Sequence, residues 1–362
     1  MIYLDHAATT PICEAAKRAI IDNLDNFGNP SSSHEIGHKA KMLIEDARER
    51  IAKCINAEPD EIYFTSGGSE ANTWALHNKT CLTSKIEHHS VAGKHWFDAD
   101  YGTINHYAFE EYMSAVPYLQ PYQELISCMF VNNEIGTIQP IKDLARISHA
   151  YNRCFHTDAV QAVGHIPVNV KNSDCDMLSA SGHKFGAPKG IGFLYVKNGI
   201  KVPSLIYGGK QELGKRGGTE NVLGIIAMAA ALEDSVINMK TRDKHILEMR
   251  RILLPCLLDI DGVRLNGLLP KRVSSNINVR IDGVKGQDVV AMADQYGICI
   301  SAGSACNEGN AEPSHVLKAI GLTDEEALSS IRITLGHQNT FEEIEYVCDM
   351  LPKIITRLRE TA

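Results

Sequence analysis

The decapeptide Ser181-Gly-His-Lys-Phe-Gly-Ala-Pro-Lys-Gly190 places two lysines, a histidine and three glycines directly after the apolar-rich run from Cys175 to Ala180. A lysine among glycines, just past a strand-like segment, has three chemistries open to it. Lys184 is a solvated surface amine, a point charge for a phosphate, or an amine that forms a covalent adduct. Two further clusters bear on the choice. Thr65-Ser-Gly-Gly-Ser-Glu70 joins a strand-like segment to a helical one, and glycines there let backbone N–H groups approach an anion at a helix N-terminus. The same residues also read as a tight turn with Ser69 as its N-cap. In Phe155-His-Thr-Asp-Ala-Val-Gln161, Asp158 either caps a neighbouring helix or pairs with a protonated ring nitrogen, and Gln161 then donates to a ring oxygen. An anion loop, a carboxylate at one strand end and a lysine at the next are together what pyridoxal phosphate needs: a phosphate anchor, a pyridinium partner and a covalent amine.

A competing phosphate motif fails. Gly209-Lys-Gln-Glu-Leu-Gly-Lys-Arg216 fits G-x-x-x-x-G-K, but Arg216 stands where a hydroxyl residue would hold magnesium. This basic, glycine-rich loop remains suited to a phosphate or to another subunit.

The elements that must position these residues alternate along the chain. Segments 61–65, 126–131, 154–158, 176–180 and 191–196 are strand-like, and 69–78 and 141–151 are helical. The short loop before Ile191 predicts that 191–196 runs antiparallel to its neighbour. This order predicts a mostly parallel sheet covered by helices on both faces, with ligands beyond the carboxyl ends of the strands. After about Met239 a long charged helix and shorter elements begin a second lobe. A chain of 362 residues exceeds the roughly 250–300 at which single cores stop growing. The division expected is a large α/β domain over residues 14–240 and a smaller α+β domain formed by 1–13 and 241–362.

Apolar content of 44% and charged content of 22% are ordinary for a globular protein. A net charge of −8 argues against a broad basic surface for nucleic acid. Ten scattered cysteines with no C-x-x-C pair support neither a zinc knuckle nor a disulfide framework. The N-terminus lacks the pattern of a signal peptide, and the apolar run Ile225–Leu232 is too short to span a bilayer. A reduced, cytoplasmic protein with no metal and no membrane partner is expected.

The motifs taken in order resemble the cysteine desulfurases, pyridoxal-phosphate enzymes of fold-type I within the class-V aminotransferases, and in particular the branch serving iron–sulfur and nitrogenase cluster assembly. The matching blocks begin with Tyr3-Leu-Asp-His-Ala-Ala-Thr-Thr-Pro11, Phe27-Gly-Asn-Pro-Ser-Ser32 and Thr65–Glu70. They continue through Glu87-His-His-Ser-Val91, Val131-Asn-Asn-Glu-Ile-Gly136, Ser181–Lys184 and Arg216-Gly-Gly-Thr219. Ser301-Ala-Gly-Ser-Ala-Cys306 and Ser330-Ile-Arg-Ile-Thr-Leu-Gly336 complete them. Each block alone is weak. Nearly the whole chain in one order is specific.

The resemblance implies that Lys184 carries pyridoxal 5'-phosphate covalently, Asp158 pairs with the ring nitrogen, and Gln161 bonds the phenolic oxygen. It implies that His88 stacks on the ring and assists proton transfer. Gly68, Ser69, Ser181 and His183 would hold the phosphate, with Thr219 reaching it from a partner subunit, so a homodimer is implied. Asn133 and Asn29 would contact the substrate side of the cofactor, although both asparagines also suit turns. Arg332 would bind the carboxylate of L-cysteine, a task that suits a planar, two-pronged donor. Cys306, flanked by Gly303, Ser304, Asn307, Glu308 and Gly309, would be an exposed thiolate on a mobile loop that takes the sulfur and delivers it to acceptor or scaffold proteins. Cys299, within Ile298-Cys-Ile300, is expected to be buried with a raised pKa.

Some positions depart from the family pattern. Lys210 stands where glycine or histidine is usual, segments 78–87 and 92–127 are short, and the chain stops soon after Leu358, where relatives often carry a scaffold-docking extension. A related aminotransferase or selenocysteine lyase would share the cofactor chemistry.

Overall fold

The structure is a computed structural model that describes residues 1–91, 95–97, 123–307 and 310–361. Its large sheet has seven strands in the spatial order 62–65, 192–196, 177–181, 154–158, 123–127, 80–84 and 95–97. Gly192–Val196 runs antiparallel to both of its neighbours, as its short preceding loop predicts, and the remaining pairs are parallel.

Side chains on successive strand residues point to opposite faces, and here both faces are apolar. Tyr63, Leu125, Met177 and Leu194 pack with Trp74 and Ala75 of the helix Gly68–Leu76. Phe64, Ile126, Leu178 and Phe193 pack on the other side with Ile44 and Ile51 of the helix Glu35–Ile55. Burial on two sides accounts for runs such as Phe193-Leu-Tyr-Val196. Each such Leu, Ile or Phe contributes about 1.5–3 kcal/mol.

One strand is displaced from its expected place. The reading of 126–131 as a strand gives way to Gln123–Ser127. Past Ser127 the N–H of Met129 donates to the buried carboxylate of Glu87 at 2.9 Å, while those of Cys128 and Phe130 still donate to His156 O at 3.1 Å and Asp158 O at 2.8 Å, so bonding to Cys154–Asp158 continues on one side only. Most of the short segment 92–127 lies outside the described residues.

The second core is built on an antiparallel sheet ordered 301–302, 330–334, 276–281 and 263–265. Ile277, Val279, Ile331 and Ile333 pack there against the C-terminal helix Phe341–Thr361 through Val347, Leu351 and Ile355. The N-terminal strand Ile2–Tyr3 pairs with Ile298–Cys299, and Leu4 enters this same core. The first residues therefore pass from the second core to the edge of the large sheet.

Val222–Leu258 is one helix of 37 residues, so position 240 falls inside an element and not in a linker. By length and composition it could cross a membrane, which the short run Ile225–Leu232 did not suggest. Much of its apolar surface is buried inside the protein, through Ile225, Ile226, Met228 and Leu232 in the first core and Met249, Leu253, Leu254 and Leu257 in the second, although Ile237 is exposed.

Carboxylates brace the loop 209–216. Glu212, buried and at φ 46°, accepts both Nη atoms of Arg48 at 2.9 Å and the N–H of Phe64 at 2.8 Å. Arg216 is held by Glu70 through bonds of 2.9 and 3.1 Å. Of the loop's basic side chains, Arg216 is thus committed to a carboxylate and Lys215 donates to Tyr63 Oη at 3.1 Å, while Lys210 is exposed.

Candidate active site

The carboxyl ends of the central strands open onto a cavity of about 380 Å³ between the large sheet and the second lobe. Lys184 ends the short 3₁₀ turn Gly182–Lys184 that follows the strand Met177–Ser181. Its Nζ donates to the carbonyls of Ala7 at 2.6 Å and Ala8 at 2.8 Å. Burial, and then the charge of Arg332, push its pKa down to about 8. An amine so placed is largely pre-desolvated and close to its neutral, nucleophilic form at physiological pH.

Asp158 is the last residue of Cys154–Asp158 and is 4% exposed. Its two oxygens accept from Val160 N at 2.9 Å and Asn72 Nδ2 at 2.7 Å. Burial raises its pKa, while these two bonds and the nearby His88 and Lys184 favour the carboxylate. Gln161 Nε2 donates to Ala7 O at 3.0 Å, the carbonyl that also receives Lys184.

At the opposite wall the helix Gly68–Leu76 begins. Its N-cap is Gly67 at φ 154° with no side-chain cap, so Ser69 lies in the first turn and is not the cap. Helix N–H groups there remain available to an anion. A Cβ at Gly68 would come within 2.7 Å of Val160, so the turn requires glycine for this close approach. Ser181 is buried at the same edge. His183 meets Thr9 Oγ1 through Nδ1 at 3.1 Å, and burial lowers its pKa to about 4. His88 lines the cavity, and its Nδ1 lies 2.7 Å from Ser90 Oγ. It follows Glu87, a buried carboxyl raised to about 8 by burial and bonded by Met129 N and Ser84 Oγ.

Arg332 enters from the second lobe, on the strand Ser330–Thr334. Nη1 donates to the carbonyl of Asn133 at 3.0 Å, and Nη2 to Asp5 Oδ1 at 2.8 Å and Ser301 Oγ at 3.3 Å. Its buried Nε has no partner among the described residues, a donor left for a ligand carboxylate.

Asn29 is on an exposed loop and accepts from Ser31 N at 2.9 Å, the turn-forming role, rather than lining this cavity. Thr219 is exposed and also stands away from it. The backbone of Cys306 forms a hairpin, Ser304–Asn307 against Asn310–Pro313 with Cys306 opposite Ala311, where a loop was expected; its side chain lies outside the described residues. Cys299 is half-buried, not buried, because only its neighbours Ile298 and Ile300 turn into the core, but burial still raises its pKa. Asn72 and Asp5 were missed. Asn72 left a weak signal, a polar residue between Ala71, Trp74 and Ala75 on a helix face that is otherwise apolar.

The donor set fits pyridoxal 5'-phosphate. A primary amine, a buried carboxylate and an uncapped helix end face one space, and Gly68 clears room at the phosphate end. Lys184 and Asp158 would hold the reactive and nitrogen ends of the ring, with Gly68, Ser69 and Ser181 at its phosphate.

The family model for the class-V aminotransferases matches residues 2–347. A cysteine desulfurase named IscS from Dictyoglomus turgidum is 44% identical over 99% of this chain and 95% of its own. A solved NifS-like protein superposes with a TM-score of 0.90 at 31% identity, covering 99% of this chain and 100% of that one. The solved SspA in complex with cysteine gives 0.79 at 33% identity over 94% and 100%. One lineage thus accounts for the sequence from its second residue into its last helix and for the fold that carries the cavity: the chain belongs to the class-V aminotransferase family, among its cysteine desulfurases.

Proposed function

We propose that the protein removes sulfur from L-cysteine, releasing L-alanine and storing the sulfur as a persulfide on Cys306 for transfer to acceptors such as iron–sulfur cluster assembly proteins. The observation that carries the reading is the single cavity in which Lys184, Asp158 and Arg332 converge. That a solved relative holds cysteine supports the choice of substrate.

Pyridoxal phosphate, when bound, supplies the electron sink for the bonds at the substrate's α-carbon. Arg332 fixes the substrate carboxylate, and its own position is set by Asp5, Ser301 and the Asn133 carbonyl. Lys184 Nζ takes the α-proton, which an amine lowered to about 8 accepts near neutral pH. The Cys306 thiolate then attacks the substrate sulfur. The new S–S bond forms as the C–S bond breaks, the electron pair of that bond stays with carbon, and carbon takes up a proton. L-Cysteine and the Cys306 thiol become L-alanine and a Cys306 persulfide, with all atoms accounted for.

Holoenzyme given L-cysteine and a thiol reductant should form alanine and sulfide in equal amounts. Pyruvate, or alanine without sulfide, would overturn the reading. Arg332→Leu should raise KM for cysteine by about 10–100-fold, the worth of a charge-assisted pair.

The same reading includes a homodimer. Thr219 is exposed away from its own chain's cavity, and Phe27 and Tyr207, 81% and 85% exposed, leave large apolar side chains uncovered. Sedimentation at assay concentration should give a dimer; a fully active monomer would contradict it.

A further inference from the structure

His88 is tied to Asp158 by a continuous hydrogen-bond chain that passes through two residues with no part in the reading above. Asn72, 1% exposed, points its Nδ2 at both Asp158 Oδ2 (2.7 Å) and Ser90 Oγ (2.8 Å). The amide orientation follows from chemistry, since reversing it would set Oδ1 against a carboxylate. Ser90 Oγ therefore accepts from Asn72, and its one proton is free for His88 Nδ1 at 2.7 Å. The backbone N–H of Ser90 donates to that same nitrogen at 3.1 Å. Two donors converge on His88 Nδ1, so Nδ1 carries the lone pair and the ring proton sits on Nε2.

We propose that Asn72 and Ser90 are positioning residues that lock His88 as the neutral Nε2–H tautomer and couple its orientation to the carboxylate of Asp158. In this state His88 presents an N–H donor, and not a basic lone pair, on its Nε2 side. Taking up a proton at Nδ1 would cost it both Ser90 donors. Burial independently lowers its pKa, against the attraction of Asp158 and alongside the charges of His89, Lys184 and His315 that face it. His88 then orients and polarises whatever occupies the cavity, and the proton-transfer role that the family resemblance implies for it falls to Lys184.

The consequence for catalysis rests on the proposed desulfurase reading, but the tautomer does not, so the test avoids turnover. Holoenzyme labelled with [15N]histidine would be examined by NMR, with His88 assigned by its loss in His88→Gln. The expected result is an unprotonated Nδ1 and a protonated Nε2. Ser90→Ala removes one of the two donors and should raise the Nδ1–H population about fivefold, the equivalent of one hydrogen bond. Ser90→Thr, which keeps a hydroxyl, should restore the wild-type pattern, a rescue that mere packing at this position would not produce. An Nδ1–H ring in the wild type overturns the proposal, as does a Ser90→Ala spectrum identical to the wild type. Should Ser90→Ala fail to fold, the wild-type tautomer decides alone.

Discussion

Replacing Lys184 by alanine is expected to lower desulfuration of L-cysteine by about 10⁴-fold, the upper end of what a positioned proton-transfer group contributes. Among the described residues that line the cavity, Lys184 is the one primary amine. Of the other lysines of the two glycine-rich segments, Lys189 and Lys210 are exposed, Lys215 bonds Tyr63 Oη, and none lines the cavity. Arginine at 184 should not rescue the activity, because a guanidinium does not give up its proton near neutral pH. Borohydride treatment of the wild-type holoenzyme, followed by peptide mapping, should place the cofactor on Lys184. An adduct on Lys189 or Lys210 would show that the amine has been misassigned, even if the alanine variant were inactive.

The second large effect separates the thiol from the cofactor site. Cys306→Ala should cut sulfide formation by about 10³-fold or more, as expected when a covalent nucleophile is deleted. The absorption spectrum and its response to added cysteine should stay those of the wild type, because Lys184, Asp158 and Arg332 supply those interactions. Six of the other cysteines are poor substitutes. Burial raises the pKa of Cys54 to about 11 and those of Cys175 and Cys348 to about 12. It also raises those of Cys81, Cys128 and Cys299. A thiol held above neutral pH is seldom the thiolate that attacks sulfur. Retention of wild-type turnover by Cys306→Ala would remove the persulfide route and leave Cys306 an ordinary hairpin residue.

Much of the site was legible because its parts are local. A lysine directly after a strand, an acid at the last position of another and glycines at a helix start are each set by a few adjacent residues. The backbone puts them where the pattern says: Asp158 ends Cys154–Asp158, and Lys184 follows Met177–Ser181. The helix Gly68–Leu76 was legible for the same reason, although its cap is Gly67 and not Ser69. An uncapped start depends on a positive-φ glycine and on what faces it across the cavity, neither of which a S-G-G-S string specifies.

By itself, then, the sequence determined the two-faced apolar strands, the α/β order, the family and the residue types that carry the chemistry, since each follows from short-range periodicity or from contiguous motifs. Tertiary structure alone decided the pairings across large separations in the chain. Arg332 meets Asp5 from 327 positions away, and Lys184 finds its carbonyl partners at Ala7 and Ala8. The third such pairing joins Asn72 to Asp158 across 86 residues. The fate of the long helix Val222–Leu258 was likewise settled by packing, because an apolar helix is read as core or membrane span only by what covers it. These choices share one physical cause. A buried charge or amide must find a partner, and which partner it finds is fixed by where two lobes meet, a geometry that no local pattern of residues encodes.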